Sequence, residues 1–560
     1  MAVLTVGLAF ALAPASSSGR ESGTVGPASP SPVSRSDENV LPPDFDALVA
    51  RVMRTFEVPG MAVAVVKDGA TVLAKGYGVR RMGEPDAVDA RTLFGIASNT
   101  KAFTATALGL LVEEGKIEWD GQVTRYLPWF QMWDPYVTRE ITVRDLLVHR
   151  SGLGLGAGDL LLWPETTYTR REIVERLRFI PLATSFRSAY AYDNMLYVAA
   201  GELIEAMSGV TWEEFIRERV LRKAGMDSSE PRHSAAGAEA RNVAMPHAAL
   251  EGGVTPVAID ENDNMNAAGG IVSCAEDMAR WMLIHLAGGK LPDGGRLFGE
   301  RTARELTTLV TPIPIGAPAP ELAAQRQNFN GYALGFRVGD YRGRKLVNHT
   351  GGLSGYVSRV VMVPELGLGV AVLTNQESSD AYNSVIFAVL DEALGAPPTD
   401  WAAAYSAVRA RSRSRTAGAL EDAAARRDAA GQAVAAARGV RGRLRGRLVR
   451  TDRDRAGGRG RRRGRGGGRG RRSGARHALR QVAGPRRRHG ALEPRDLRRP
   501  LARPGATGRR LRHLRHRPRR PHRRGPHEAR LPRHGFQLRL PGPAAEAGGE
   551  AGPALKRRAT

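Results

Sequence analysis

The chain has 560 residues, enough for two or three domains, and a formal net charge of +26 that taken whole points to a nucleic-acid binder. That reading fails for most of the chain: residues 1–400 carry 37 Lys+Arg against 47 Asp+Glu, whereas residues 401–560 carry 46 against 10. A mildly acidic globular part is thus joined to a strongly basic tail, and a single cysteine, Cys274, excludes an intrachain disulfide.

Residues 1–15 form an apolar run that closes on the small-residue triplet Ala13-Pro14-Ala15, the pattern of a secretory signal, which predicts export (periplasmic or secreted). Residues 16–43, rich in Ser, Pro and Gly, read as a flexible linker. A folded domain is expected over residues 44–395. It opens with two β-rich runs, 60–66 and 71–76, joined by Lys67-Asp68-Gly69-Ala70, where Asp-Gly favours a tight hairpin turn. From Ser98 to Gly115 the apolar Phe103, Ala107, Leu110 and Leu111 recur at helical spacing. A helix-rich stretch continues to about Leu286. Strand patterning then returns at 332–338, 345–349, 357–363 and 367–374, and a last periodic helix covers 381–394. Strands at both ends with helices between predict an α+β fold: one antiparallel sheet formed from both chain ends, flanked by helices, with an inserted helical subdomain. No stretch approaches the ~20 apolar residues of a transmembrane span.

Residues 396–437 read as a helical linker. Residues 438–560 are an Arg/Gly-rich low-complexity segment with Phe536 as their one aromatic residue, a composition that cannot offset its own ordering entropy. It reads as a disordered tail, as a nucleic-acid-binding tail, or as sequence translated out of frame. Against nucleic acid as a partner stands the lack of aromatics interleaved with the arginines. For the frame shift stands the stretch 533–546, which, read one nucleotide out of register with permitted synonymous codons, gives an alternating, aromatic, strand-like string.

Three elements carry chemistry. In Ser98-Asn-Thr-Lys101, a serine at a helix N-terminus has a lysine three residues on, so the two side chains share a helical face. The helix end supplies positive potential, and a lysine in apolar surroundings can take the serine proton. Taken alone the pattern is weak, and an N-capping serine is its usual explanation. In Tyr192-Asp-Asn194, a phenol can shuttle a proton and an amide can hold substrate or Lys101; the plain alternative is a core tyrosine before a capping Asn. In His349-Thr350-Gly351-Gly352, a strand ends in small residues, and missing side chains allow close backbone approach to a bound carbonyl. The histidines, among them His149, His233, His247, His285 and His349, show no metal-ligand spacing, and no metal or organic cofactor is implied.

Ser-x-x-Lys, Tyr-x-Asn and a late basic-Thr-Gly strand, in that order, resemble the serine β-lactamases and penicillin-binding proteins, most of all the class C β-lactamase-like group. The stretches Thr142 to Leu153, Asn266 to Asp277 and Tyr332 to Phe336 add to the likeness, which spans 44–395. The resemblance implies a β-lactamase/transpeptidase-like fold and a serine hydrolase acting through an acyl-enzyme on an amide, ester or β-lactam. It gives Ser98 as nucleophile, Lys101 and Tyr192 in proton transfer, and Asn194, His349, Thr350 and Gly351 at the substrate, with the backbone N–H groups of Ser98 and Gly352 as oxyanion hole. His349 stands where many relatives have Lys. His at this place is more usual in carboxypeptidase-like and esterase-like members than in efficient β-lactamases. A small-molecule or peptide substrate is therefore expected; a non-hydrolytic penicillin sensor of the same fold is the alternative. Some relatives carry a strand-rich C-terminal domain after a helical linker, of which 438–560 would be an out-of-frame remnant.

Overall fold

The computed structural model describes residues 40–430 apart from 237–241, 251–252 and 260–261, all within the first of the chain's two compact units, residues 1–460. The expected signal at 1–15, the linker as far as residue 39 and the segment 438–560 lie outside the described residues.

Eight strands form one antiparallel sheet: β1 (Gly60–Lys67), β2 (Ala70–Gly78), β3 (Thr311–Pro312), β4 (Asn330–Tyr332), β5 (Arg337–Tyr341), β6 (Arg344–Leu353), β7 (Tyr356–Val363) and β8 (Leu368–Thr374). Their spatial order is β2-β1-β8-β7-β6-β5-β4-β3, so the N-terminal hairpin adds to the edge of a C-terminal meander through the β1–β8 pair, with Val63 opposite Val372. The hairpin turns on Asp68 and Gly69, with φ of 48° and 84°, the doubly left-handed geometry that Asp-Gly favours. The sequence reading of sheet and hairpin agrees with this arrangement.

The main helices are α1 (Phe45–Phe56), α2 (Thr100–Glu113), α3 (Met195–Ser208), α4 (Ala275–Leu286), α5 (Ser379–Ala393) and α6 (Trp401–Ala430). They cover the sheet on both faces, and β1 shows how: Met61, Val63 and Val65 enter one core with α1, α5 and the start of α6, while Ala62, Ala64 and Val66 enter the other with α2, α3 and α4. Alternation of side chains along a strand thus divides a continuous apolar run between two cores. Helix α2 is buried from Thr100 to Leu111, a helix enclosed on all sides at the centre of the helical lobe. Gly115, at φ 68°, ends its run. The segment at 396–437 contributes α6, whose Trp401, Ala402 and Tyr405 are packed into the domain core.

One predicted strand is corrected. The run 332–338 is not continuous but breaks into β4 and β5 around a turn closed by the Ala333 N–H to the Phe336 carbonyl at 2.8 Å. Within this turn Gly335 has a φ of 80°, and a Cβ there would lie 2.7 Å from the Lys101 carbonyl oxygen. The chain turns at this point because only glycine fits against the first turn of α2.

Candidate active site

The nucleophile candidate sits on a turn held from three sides. Residues Ala97–Asn99 form a short 3₁₀ turn leading into α2, and buried Ala97 has a left-handed φ of 48°. Asn99 Nδ2 donates to Ser358 Oγ on β7 at 2.8 Å, and Ser358 Oγ donates to the Ile96 carbonyl at 2.9 Å. Thr100 Oγ1 accepts the Ile271 N–H at 3.1 Å, and Thr104 Oγ1 donates to the Ala267 carbonyl at 2.7 Å. Between Phe94 and Leu111, Ser98 alone is not buried. The fold therefore fixes the backbone on either side of one hydroxyl and leaves that hydroxyl accessible.

Lys101 lies one turn on and is fully buried. Its Nζ is 3.1 Å from Ser98 Oγ, 2.8 Å from Asn194 Oδ1 and 2.8 Å from the Ala268 carbonyl. All three partners are neutral. It also stands over the rings of Tyr192 and Tyr197, 4.9 and 5.1 Å from their centroids. Burial lowers the Lys101 pKa to about 7, with the charges of Asp193 and Asp159 opposing the shift. Near neutrality Lys101 is thus divided between its charged and neutral forms.

Tyr192 has a buried hydroxyl with no completed hydrogen bond among the described residues. Burial raises its pKa well above the usual phenol value, and Ser98 beside it pulls the other way. The phenol keeps its proton at neutral pH. Buried His149 packs on the Tyr192 ring at 4.2 Å between centroids and on Tyr332 at 4.4 Å, and its Nδ1 accepts the Asp193 N–H at 3.3 Å. Burial lowers the His149 pKa, so this wedge is a neutral ring.

A cavity of about 710 Å³ opens over Ser98, lined also by Tyr192, Asn194, Asp159, Gly352 and Glu377 and by apolar Leu155, Trp163, Met265, Leu353 and Val357. Five of the predicted site residues, Ser98, Lys101, Tyr192, Asn194 and Gly352, are therefore together, four on the wall and Lys101 just beneath it. The other three are not on that wall. His349 is buried; its Nδ1 bonds the Thr350 carbonyl at 2.7 Å and its Nε2 the Tyr332 hydroxyl at 2.7 Å. A carbonyl can only accept, so Nδ1 carries the proton and Nε2 accepts from Tyr332. Burial and the neighbouring Lys101 hold the His349 pKa well below its ordinary value. A direct substrate contact by His349 is accordingly corrected to a neutral packing role behind Tyr332. Gly351 faces inward too: a Cβ there would lie 2.1 Å from the Ile96 carbonyl oxygen, so this glycine lets β6 close on the nucleophile turn. Thr350 is half-buried and does not line the cavity. Gly352 is exposed, with open space where a Cβ would stand.

Sequence reasoning missed Asp159 and Glu377. Asn194 Nδ2 donates to Asp159 Oδ1 at 3.1 Å, which fixes the amide with its oxygen on Lys101. Asp159 follows the glycine-rich stretch Gly154-Leu-Gly156-Ala-Gly158, which carries no motif that would mark the next residue. Among the described residues no group of His, Cys, Asp and Glu side chains is placed to hold a metal, and no helix is long and apolar enough to cross a membrane.

Comparison with known proteins places the chain in a family. The chain is 30% identical over 379 residues to an unguisins hydrolase, ungD', of Aspergillus campestris, a match spanning 64% of this chain and 67% of that one. It is 25% identical over 346 residues to protein flp of Staphylococcus aureus, covering 60% of this chain and 63% of flp. Among solved structures, the octameric penicillin-binding protein homologue from Pyrococcus abyssi superposes with a TM-score of 0.55 at 26% identity, over 63% of this chain and 77% of that one. The D-amino acid amidase of Ochrobactrum anthropi shares the fold, with a TM-score of 0.52 at 21% identity over 62% of this chain and 98% of the amidase. The Beta-lactamase family matches residues 45–395, more than half of the sequence, and the chain belongs to that family.

Proposed function

We propose that the protein is a serine hydrolase that acts through an acyl-enzyme on an amide, ester or lactam carbonyl. The observation that carries this reading is the Ser98–Lys101 pair: a hydroxyl on a cavity wall, 3.1 Å from a buried amine whose pKa is lowered to about 7. A neutral amine in that place is a base for the hydroxyl at physiological pH.

In acylation, Ser98 Oγ bonds to the carbonyl carbon and its proton moves to Lys101 Nζ. The proton then passes from Lys101, by way of the protonated Tyr192 hydroxyl, to the leaving amine or alkoxide as its bond to the carbonyl carbon breaks. The negative oxygen of the tetrahedral intermediate is received by the N–H groups of Ser98 and Gly352. Water repeats the sequence on the ester, releasing the acid and returning the proton to Ser98 Oγ. Asn194 keeps Lys101 pointed at Ser98 while lining the cavity where the acyl group lies.

Turnover of nitrocefin, p-nitrophenyl butyrate and a D-Ala-D-Ala peptide by wild type and Ser98→Ala tests the reading, with intact-mass detection of the acyl-enzyme. Loss of about 10³-fold or more with the best substrate is expected in Ser98→Ala, together with loss of the acyl adduct. Undiminished turnover in Ser98→Ala contradicts the assignment. A wild-type adduct that forms and never clears points to a sensor instead of a hydrolase.

A further inference from the structure

The charges on the cavity wall are one-sided. Its ionisable lining groups are Asp159, Glu377 and the phenol of Tyr192; among the described residues no Lys, Arg or His lines it. Lys101 lies beneath the wall and is occupied by Ser98, Asn194 and Ala268. Arg337 influences His349 and Tyr192 electrostatically, but it donates Nη2 to the Tyr190 hydroxyl at 3.0 Å and does not line the cavity.

Asp159 is built into the site. Its Oδ1 accepts from Asn194, and its Oδ2 takes no hydrogen bond among the described residues. Burial raises its pKa, with the Asn194 hydrogen bond and the charge of Lys101 opposing the shift, so its charged form is only partly compensated in the free protein. The buried, unpartnered Tyr192 hydroxyl faces the same space. Glu377 stands elsewhere on the wall, with Oε1 accepting the Gly355 N–H at 2.8 Å. Between them the wall is apolar, with Leu155, Trp163, Met265, Leu353 and Val357. A carboxylate brought into this space meets two like charges and no lining cation, whereas an ammonium meets two opposite ones, in a partly enclosed site where such terms are less screened than in bulk water.

We propose that the cavity selects aminoacyl amides or esters with a free ammonium group and an apolar side chain, that Asp159 receives the ammonium, and that carboxylate-bearing acyl donors are disfavoured. This rests on the acyl-enzyme reading and adds to it a substrate class and a specificity-determining residue.

The test compares kcat/KM for phenylalanine amide, its N-acetyl derivative and its N-succinyl derivative, each as both enantiomers, with Ser98 acylation by p-nitrophenyl butyrate followed in parallel. The free amine is expected to exceed the succinyl compound at least tenfold, with the acetyl compound between them. Asp159→Asn is expected to lower the free-to-succinyl ratio at least fivefold. Glu377→Gln, which removes the second charge without touching Asn194, is expected to lower it about twofold and serves if the first variant does not fold. A wild-type preference for the succinyl compound, equal rates, or a ratio unchanged in the variants overturns the proposal. So does failure to turn over any of the three while p-nitrophenyl butyrate still acylates Ser98. A Ser98 that no substrate acylates overturns the underlying reading, and this one with it.

Discussion

Two cations lie inside the helical lobe and fare differently. Arg170 is bound by Glu213 and by Glu205, the latter at 2.8 Å; burial works against its charge, but Glu213 and Glu205 outweigh it and raise its pKa. Lys101 is hydrogen-bonded only to neutral groups, and burial lowers its pKa to about 7. The lobe can supply carboxylates to a largely enclosed cation and does so for Arg170. At Lys101 the carboxylates Asp193 and Asp159 are kept off hydrogen-bonding distance, with Asn194 interposed between Lys101 and Asp159. A paired cation holds structure together; an unpaired one can exchange a proton. Arg170 keeps 15% of its side chain exposed and Lys101 none, and the larger difference lies in the partners.

Asn194→Asp should erase this difference most completely, because it gives Lys101 a carboxylate partner like the one Arg170 has. Its pKa should rise, the rising limb of kcat/KM should move up by about two pH units, and activity at pH 7 should fall about 50-fold. A steady-state pH profile reads both effects, and an unshifted limb would count against Lys101 as the base. Next in size, Glu213→Gln removes one partner of the largely enclosed pair and should cost about 3 kcal/mol in urea unfolding. Because Asn266 Nδ2 also bonds Glu213 Oε1 at 2.8 Å, some loss of turnover should accompany it, but with the pH limb in place.

The two regions also differ in how far they could be read from sequence. Ser98 and Lys101 lie three residues apart on a helix, so their meeting follows from local periodicity. The sheet was legible for a similar reason: the runs of β1, β7 and β8 are long, apolar and bounded by turn residues. The pairing of Arg170 with Glu213 spans 43 residues and follows no spacing rule. Asp159 reaches the cavity through a loop whose glycines say only that the chain bends. The last motif was legible only in part. Gly352 was given a backbone N–H role, which side-chain alternation does not constrain, and it lies on the cavity wall, whereas His349 is held by the Tyr332 hydroxyl, 17 residues away, a contact that no spacing rule announces. The break of 332–338 at Gly335 was hidden because its cause is a contact with the start of α2, a segment far earlier in the chain.

A smaller, graded effect comes from the buried neutral histidines. His285, among Trp281, Phe298 and Phe336, has its pKa lowered by burial to about 3, and burial lowers those of His149 and His349 as well. In the unfolded chain each takes up a proton near pH ~6.5, while the folded state stays neutral. The unfolded state therefore binds more protons below that pH, and stability, constant above it, falls as pH drops from about 6.5 toward 3. Each such group contributes up to about 1.4 kcal/mol per pH unit in that window. His285→Phe should flatten the decline of unfolding free energy between about pH 6.5 and 4.5, measured by urea titration; an unchanged slope would mean that His285 titrates normally.

The catalytic reading rests on Lys101 acting as a neutral base at physiological pH. Single-turnover acylation of Ser98 by p-nitrophenyl butyrate, followed from about pH 5 to 10, measures this directly. The expected rate rises with pH through a single ionisation at about 7 and then levels, with the rise absent in Lys101→Met. A rise centred at about 10, the ordinary lysine value, or the same profile in Lys101→Met, would contradict it.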